Sequence, residues 1–335
     1  MNILFELSKE QTTLPRAEAL ACLTAEDIPY TVVDSNEDVL VVEVRTDDTL
    51  IERLAERLAC TFVIDELLFS SPATINDIIR YAEKHPILQD GSIAIRCKNR
   101  SSSLDSEELI RPLGDIYTKN RKVNLRHPEI ELRAIVTKKT AYIGIKKAEI
   151  NTSSFQQRRG HLRPFLSPIT LHPKIARALV NLSSIKRNEL LLDPFCGTGG
   201  ILLEAGLIGV RIIGSDIEQK MIDGCKKTLD FYSIKNYTLT CCDIGMIHTS
   251  VALVDAVVTD FPYGKATTTK GEGILTLYER AFDSIAALLK KNGKAVVGLS
   301  EKSMISLGEK HLFLLEVHES RVHRSLTRYF GVYRK

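Results

Sequence analysis

The sequence predicts an α/β protein that ends in a doubly wound sheet, parallel except for its last strand, with two smaller α/β units ahead of it. Three observations predict this. From residue 173 onward, apolar strand runs alternate with stretches of helical spacing, the pattern of strand–helix–strand crossovers. The last two strand candidates, 311–318 and 326–333, are joined by only 319–325, too short for a crossover helix, so the final strand must enter antiparallel. The first 70 residues instead run strand, helix, strand, strand, helix, strand, the split βαβ order of ferredoxin-like folds.

Taken in order, Ile3 to Leu7 forms a strand and Pro15 opens a helix that runs through Ala25. Tyr30 to Val33 and Val39 to Val44 are β-branched runs joined by the turn Asp34-Ser35-Asn36-Glu37. Leu50, Ile51, Leu54, Ala55 and Leu58 keep helical spacing over 47–59, and Thr61 to Phe69 closes the unit as a strand. Residues 71–147 predict a second unit: a helix beginning at Pro72, a strand at 92–97, a helix from Ser106 to Tyr117, and strands at 131–137 and 141–145. Residues 148–172 lack periodicity and contain Arg158-Arg159-Gly160-His161-Leu162-Arg163-Pro164, which marks them as a basic linker. In the C-terminal part, 173–335, strands are expected at 189–193, 210–215, 237–242, 254–259 and 294–299 before the final pair.

Composition narrows the function. With 44% apolar residues the chain can bury ordinary cores, and no apolar run approaches the roughly 20 residues of a membrane span. The opening MNILFELSKEQTT lacks the basic and apolar regions of a secretory signal. Seven cysteines without C-x-x-C spacing argue against a zinc site or a disulfide framework and fit a reducing cytoplasm. The net charge of +3 conceals segregation: residues 1–90 carry 7 Lys/Arg against 18 Asp/Glu, and residues 91–187 carry 20 against 7. A local excess of that size points to a polyanion, with neutralisation of the acidic segment as the plainer alternative.

Two motifs carry the chemistry. Glu189-Leu190-Leu191-Leu192 is a central-strand run that ends in Asp193-Pro194-Phe195-Cys196-Gly197-Thr198-Gly199-Gly200 and leads into a helix. The glycines let the backbone turn tightly and come close to a ligand. A nicotinamide reading needs G-x-G-x-x-G, and this turn reads G-T-G-G-I-L. S-adenosylmethionine fits instead: its carboxylate goes to the turn's N–H groups and its ammonium to Asp193. Asp216, 23 residues on and at the next strand end, stands at the offset for ribose hydroxyls, and Asp243 ends the strand after that, placed for the adenine amine. The expected cofactor set is Asp193, Phe195, Cys196, Gly197, Thr198, Gly199, Asp216, Ile217, Asp243 and Ile244.

The second motif, Asp260-Phe261-Pro262-Tyr263, follows the strand at 254–259. An exocyclic base amine is a poor nucleophile because its lone pair is delocalised into the ring. Accepting both N–H hydrogens, on the Asp260 carboxylate and the Phe261 carbonyl, turns that lone pair toward a sulfonium methyl. Pro262 stiffens the turn and Tyr263 offers a face for stacking, worth about 1–3 kcal/mol. The 265–273 stretch is expected to close over the substrate with Lys265 or Lys270 on a phosphate. Arg100, Lys119, Arg121, Lys122, Arg158, Arg159, Arg163 and Lys265 are the candidate RNA contacts, and no metal site is expected.

Arg163-Pro164-Phe165, Leu171-His172-Pro173-Lys174-Ile175-Ala176-Arg177-Ala178, the 193–200 and 259–264 motifs, and His323-Arg324-Ser325-Leu326-Thr327-Arg328 together give the chain a family likeness. It resembles the archaeal tRNA guanine-10 N2-methyltransferases over nearly its whole length. The resemblance implies a ferredoxin-like domain (1–70), a THUMP RNA-binding domain (71–147), the linker, and a Rossmann-like class I S-adenosylmethionine methyltransferase domain (173–335). It also implies methylation of a tRNA guanine on its exocyclic amine, once or twice. A cytoplasmic monomer is expected, with a small activating subunit possible but not indicated. The chain departs from the family's usual Asp-Pro-Pro-Tyr by placing Phe261 where the first proline stands, which keeps the carbonyl and loosens the turn. From the residues alone, rRNA guanine, adenine N6 and protein glutamine remain alternative substrates, and a non-catalytic RNA-binding adaptor remains an alternative role.

Overall fold

The computed structural model describes residues 1–100, 104–165, 170–263, 273–323 and 326–335. The chain divides into two units: Met1–Lys9, Ile28–Ala55 and Thr61–Ile150 form the first, and Glu10–Asp27, Glu56–Cys60 and Asn151–Lys335 the second.

The first unit is built on strands β1 (Asn2–Leu7), β2 (Tyr30–Ser35), β3 (Val39–Val44), β4 (Thr61–Pro72), β5 (Ile93–Asn99), β6 (Ile130–Val136) and β7 (Thr140–Glu149), in the sheet order β2-β3-β1-β4-β7-β6-β5. Of the first helices in the chain, α1 (Leu14–Ala25) falls in the second unit, and α2 (Asp48–Arg57), α3 (Ile75–Ala82) and α4 (Ser106–Tyr117) follow. The split βαβ strand order is present, but the expected break at 70/71 is not. β4 runs through it, pairing antiparallel with β1 over Thr61 to Glu66 and with β7 over Val63 to Pro72. Both edges of one long strand are thereby satisfied, and the two expected domains share a single sheet. The helix expected from Pro72 starts at Ile75. Thr74 caps it by accepting from the Asp77 N–H, while Pro72 closes β4 opposite Thr140. Ile78, Ala82, Leu109 and Leu113 pack the two helices on Ile93, Ile130, Leu132 and Ala134 of the sheet.

The second unit continues with α5 (Ser153–Gln157), α6 (Pro173–Leu182), β8 (Leu190–Asp193), α7 (Gly200–Leu207), β9 (Arg211–Asp216), α8 (Gln219–Phe231), β10 (Tyr237–Cys241), β11 (Val254–Asp260), α9 (Ile274–Leu288), β12 (Leu289–Leu299), α10 (Ile305–Glu309), β13 (Phe313–His323) and β14 (Leu326–Arg334). The sheet order is β10-β9-β8-β11-β12-β14-β13. The strands run parallel from β10 to β12, and β14 enters antiparallel between β12 and β13, as the short connection requires. Period-2 alternation divides the core. Leu191, Ala256 and Val258 face α6 and α7, and Leu192, Val257 and Val297 face α9. The segment read as a linker folds into this unit from Asn151 onward: α5 buries Phe155 (3% exposed) in the core.

Strand order reverses between β8 and β11. Side chains and turns at the carboxyl ends of those two strands therefore border a crevice, the place where open α/β sheets take their ligands. Asp193 ends β8 and Asp260 ends β11.

Candidate active site

Both motifs lie at this crevice. After Asp193 the chain turns through Gly197 (φ +49°) and Gly199 (φ +81°), left-handed positions that glycine occupies without strain. The space a Cβ on Gly197 would enter is open, so a ligand can approach the backbone there. Gly199 instead abuts α8: a Cβ would stand 2.6 Å from the Cys225 sulfur. The Cys196 N–H donates to the Ser215 carbonyl at 2.8 Å and the Gly199 N–H to the Cys196 carbonyl at 2.8 Å, which ties the turn to β9. Cys196 and Thr198 are buried (5% exposed each).

Three carboxylates converge here. Asp193 is 1% exposed, and burial pushes its carboxyl up to about 7, with the negative charges of Asp216 and Asp260 adding to the push. Burial also raises Asp216, whose oxygens accept from the N–H groups of Gly197 and Glu218, each at 3.0 Å. Asp216 thus braces the glycine turn while keeping lone pairs for hydroxyls. Asp243 accepts from the Gly245 N–H at 2.8 Å and from Arg280 at 2.7 and 3.3 Å, a pairing the sequence did not suggest. Ile217 is half-buried, and Ile244 (3% exposed) packs in the core.

The residues fit S-adenosylmethionine at both ends of its charge distribution. Its two positive groups match the acidic cluster. Its carboxylate matches Arg163, 3% exposed, whose guanidinium lies 3.0 Å from where a Cβ on Gly200, the first residue of α7, would stand. The Arg163 Nε donates to the Arg158 carbonyl at 2.9 Å, but Nη1 and Nη2 are buried without an acceptor, and burial draws the group below its usual pKa. The buried Glu204 carboxylate offsets part of its charge, and the unpaired Nη groups beside the first turn of α7 are donors suited to a carboxylate.

The turn at Asp260–Tyr263 is set by packing. Phe261, 1% exposed, stands among Phe195, Tyr278 and Phe282, with ring centroids 5.2, 4.8 and 5.3 Å away. Its N–H donates to the Gly298 carbonyl at 3.0 Å. The looseness expected from losing a proline at 261 is offset by this aromatic cluster. The Tyr278 hydroxyl donates to the Pro262 carbonyl at 2.9 Å and holds the turn from behind. Burial raises the Asp260 carboxyl, opposed by Arg328 and by the Tyr263 hydroxyl, which donates to Oδ1. Tyr263, expected as a stacking face, is thus hydrogen-bonded to the carboxylate and lies under the Arg328 guanidinium, 5.3 Å from its ring centroid.

The expected RNA contacts separate into two groups. Arg158 donates to both oxygens of Glu204 (2.8 and 3.1 Å), and Glu204 is itself fully buried and shared with Arg177. Arg163 is buried as described. Arg100 pairs with Glu6 at 2.7 Å, and Arg121 donates to the carbonyls of Gln89 and Ile87 at 2.6 and 2.7 Å. Arg158 and Arg100 thus pair with buried acids, Arg121 with backbone carbonyls, and Arg163 is buried; an arginine in a run reads as basic whichever of these awaits it. Lys119, Lys122 and Arg159 are exposed, while Lys265, Lys270 and most of the expected closing stretch, 264–272, lie outside the described residues, as do Arg324 and Ser325. Reasoning from the sequence missed Gly298 and gave Arg328 no role. Neither had a local signal, since β12 and β14 bring them to Asp260 from far along the chain.

No helix among the described residues is long and apolar enough to cross a membrane. Residues 160–329 match the family model described as an RMKL-like methyltransferase domain, and residues 73–146 match the THUMP domain. The chain is 33% identical to the tRNA (guanine(10)-N2)-dimethyltransferase of Methanothermobacter thermautotrophicus over 99% of each chain. It is 35% identical to the protein of that name from Pyrococcus abyssi over 77% of this chain and 78% of that one. The solved structure of TrmN from Thermus thermophilus superposes over 100% of both chains with a TM-score of 0.57 at 18% identity, a likeness of fold.

Proposed function

We infer that this chain, which belongs to the RMKL-like methyltransferase family, transfers methyl groups from S-adenosylmethionine to the N2 amine of a tRNA guanine. The target is position 10, methylated once or twice, and the protein acts as a cytoplasmic monomer. The observation that carries this reading is the placement of Asp193 and Asp260 at the ends of adjacent strands across the switch point, close enough for the Asp260 charge to help raise the Asp193 carboxyl. One end of the crevice suits a cationic cofactor and the other an amine. The relatives' names place tRNA guanine ahead of rRNA guanine, adenine N6 and protein glutamine. The THUMP match and the exposed Lys119, Lys122 and Arg159 support tRNA as the polyanion.

When bound, the cofactor supplies an electrophilic methyl on a good leaving group, so the protein's work is positioning. Asp193 and Asp216 would hold the ammonium and ribose ends and Arg163 the carboxylate, since the N–H groups of Cys196, Gly197 and Gly199 are already donated within the fold. The target base leaves its stack to reach the crevice. Its amine displaces the Tyr263 hydroxyl from Asp260 Oδ1 and gives its second hydrogen to the Phe261 carbonyl, which aims the nitrogen lone pair at the methyl. Asp260, its carboxyl raised by burial, is placed to take the proton that the methylated nitrogen sheds. The test is to incubate the purified protein with unmodified tRNA transcript and S-adenosylmethionine, then digest the RNA for mass spectrometry. N2-methylguanosine and N2,N2-dimethylguanosine are expected, and a digest without either contradicts the reading.

A further inference from the structure

We propose that Arg328 reads O6 of the target base and makes the site select guanine, an inference that rests on the function proposed above. Arg328 is 6% exposed on β14, with Nη2 3.6 Å from Asp260 Oδ2, Nε without an acceptor, and the guanidinium stacked over Tyr263. At 3.6 Å the pair is an ion pair and not a hydrogen bond, so the guanidinium is drawn to the carboxylate without spending its hydrogens on it. Gly298 allows the arrangement. It is the register partner of Asp260 on β12, the strand between β11 and β14, and any Cβ there would collide with the Asp260 carboxylate.

The site then presents an acceptor (Oδ1), a second acceptor (Oδ2) and, 3.6 Å from Oδ2, a cationic donor. The Watson–Crick edge of guanine presents the complement in the same sequence: the N2 amine, the N1 hydrogen and the O6 acceptor. Adenine offers its amine beside an N1 lone pair, which would face Oδ2, and has no oxygen for the guanidinium. A buried donor left without its acceptor is what lets a site reject a near-isostere strongly. The bond to O6 is charge-assisted, and the Tyr263 ring, 5.3 Å from the guanidinium carbon, helps to position the group.

The experiment compares two tRNA transcripts, carrying guanosine or 6-thioguanosine at the target position, with the full-length protein and its Arg328→Met and Arg328→Lys variants. Thioguanine keeps the N2 amine and the N1 hydrogen and exchanges only O6 for a weaker acceptor. The native protein is expected to prefer guanosine in kcat/KM by roughly tenfold or more, and Arg328→Met to lose most of that preference through a fall on guanosine of roughly 10- to 100-fold. Arg328→Lys should recover part of it. Unchanged S-adenosylmethionine affinity by calorimetry shows that the variants fold. If Arg328→Met slows both transcripts equally, or the native protein does not distinguish them, Arg328 does not read O6 and the proposal is overturned. A native protein that methylates neither transcript would instead refute the proposed function itself.

Discussion

The ring of Phe195, in the glycine turn, meets the ring of Phe261, in the catalytic turn, edge to face, with centroids 5.2 Å apart and planes at 68°. The two loops are thereby packed on one another across the switch point, so under the proposed function the distance between methyl and nucleophile is set by side-chain packing as well as by the sheet. Replacing Phe261 with proline, the family's usual residue, should therefore destabilise this chain. It removes the aromatic contacts and the N–H bond to the Gly298 carbonyl. A loss of about 3 kcal/mol or more is expected in urea unfolding.

A second expectation concerns Gly298. A methyl group at this position meets the Asp260 carboxylate and stands 3.3 Å from the Phe330 ring. Gly298→Ala should lower kcat by about 100-fold through displacement of Asp260, because small misplacements of a catalytic group cost about that much. Cofactor affinity, read by calorimetry, should stay within a few-fold.

The pH dependence of cofactor binding follows from Asp193. Its carboxyl titrates near 7 in the cofactor-free fold against a usual 3.8, so below neutrality the folded protein holds a proton there. The cofactor's positive charges favour the ionised form, so binding releases that proton and tightens as pH rises through the window. Affinity should increase nearly tenfold between about pH 6 and about pH 7.5, and titrations in buffers of different ionisation enthalpy should show proton release. Asp193→Asn should flatten the profile.

On the RNA side, Lys119→Ala with Lys122→Ala should weaken tRNA binding and shallow its salt dependence by roughly 0.7–0.9 logarithmic units per lost phosphate contact. Arg158→Met should behave differently. It strips one of two arginines from fully buried Glu204, and should cost about 3 kcal/mol of stability before any effect on RNA is seen.

What could be read from the chain beforehand was whatever is local. The glycine turn after β8, Asp260 at the end of β11 and the antiparallel β14 all announce themselves within a few residues or by one connection length. The shared sheet through β4 could not be read in this way, because pairing on two edges depends on strands far apart in sequence. The same holds for Arg158 and Arg163. Their basic run carries no trace of Glu204 or of the first turn of α7, which decide whether those charges face solvent or core. Gly298 and Arg328 reach Asp260 only once β12 and β14 have paired.

In the proposed reaction Asp260 is the group that grips the amine. The direct measurement is single-turnover methylation of tRNA by Asp260→Ala at saturating S-adenosylmethionine, with cofactor and tRNA affinities measured alongside. Methyl transfer should vanish while both affinities stay within a few-fold of native. Turnover that survives the substitution would show that the nitrogen is held elsewhere.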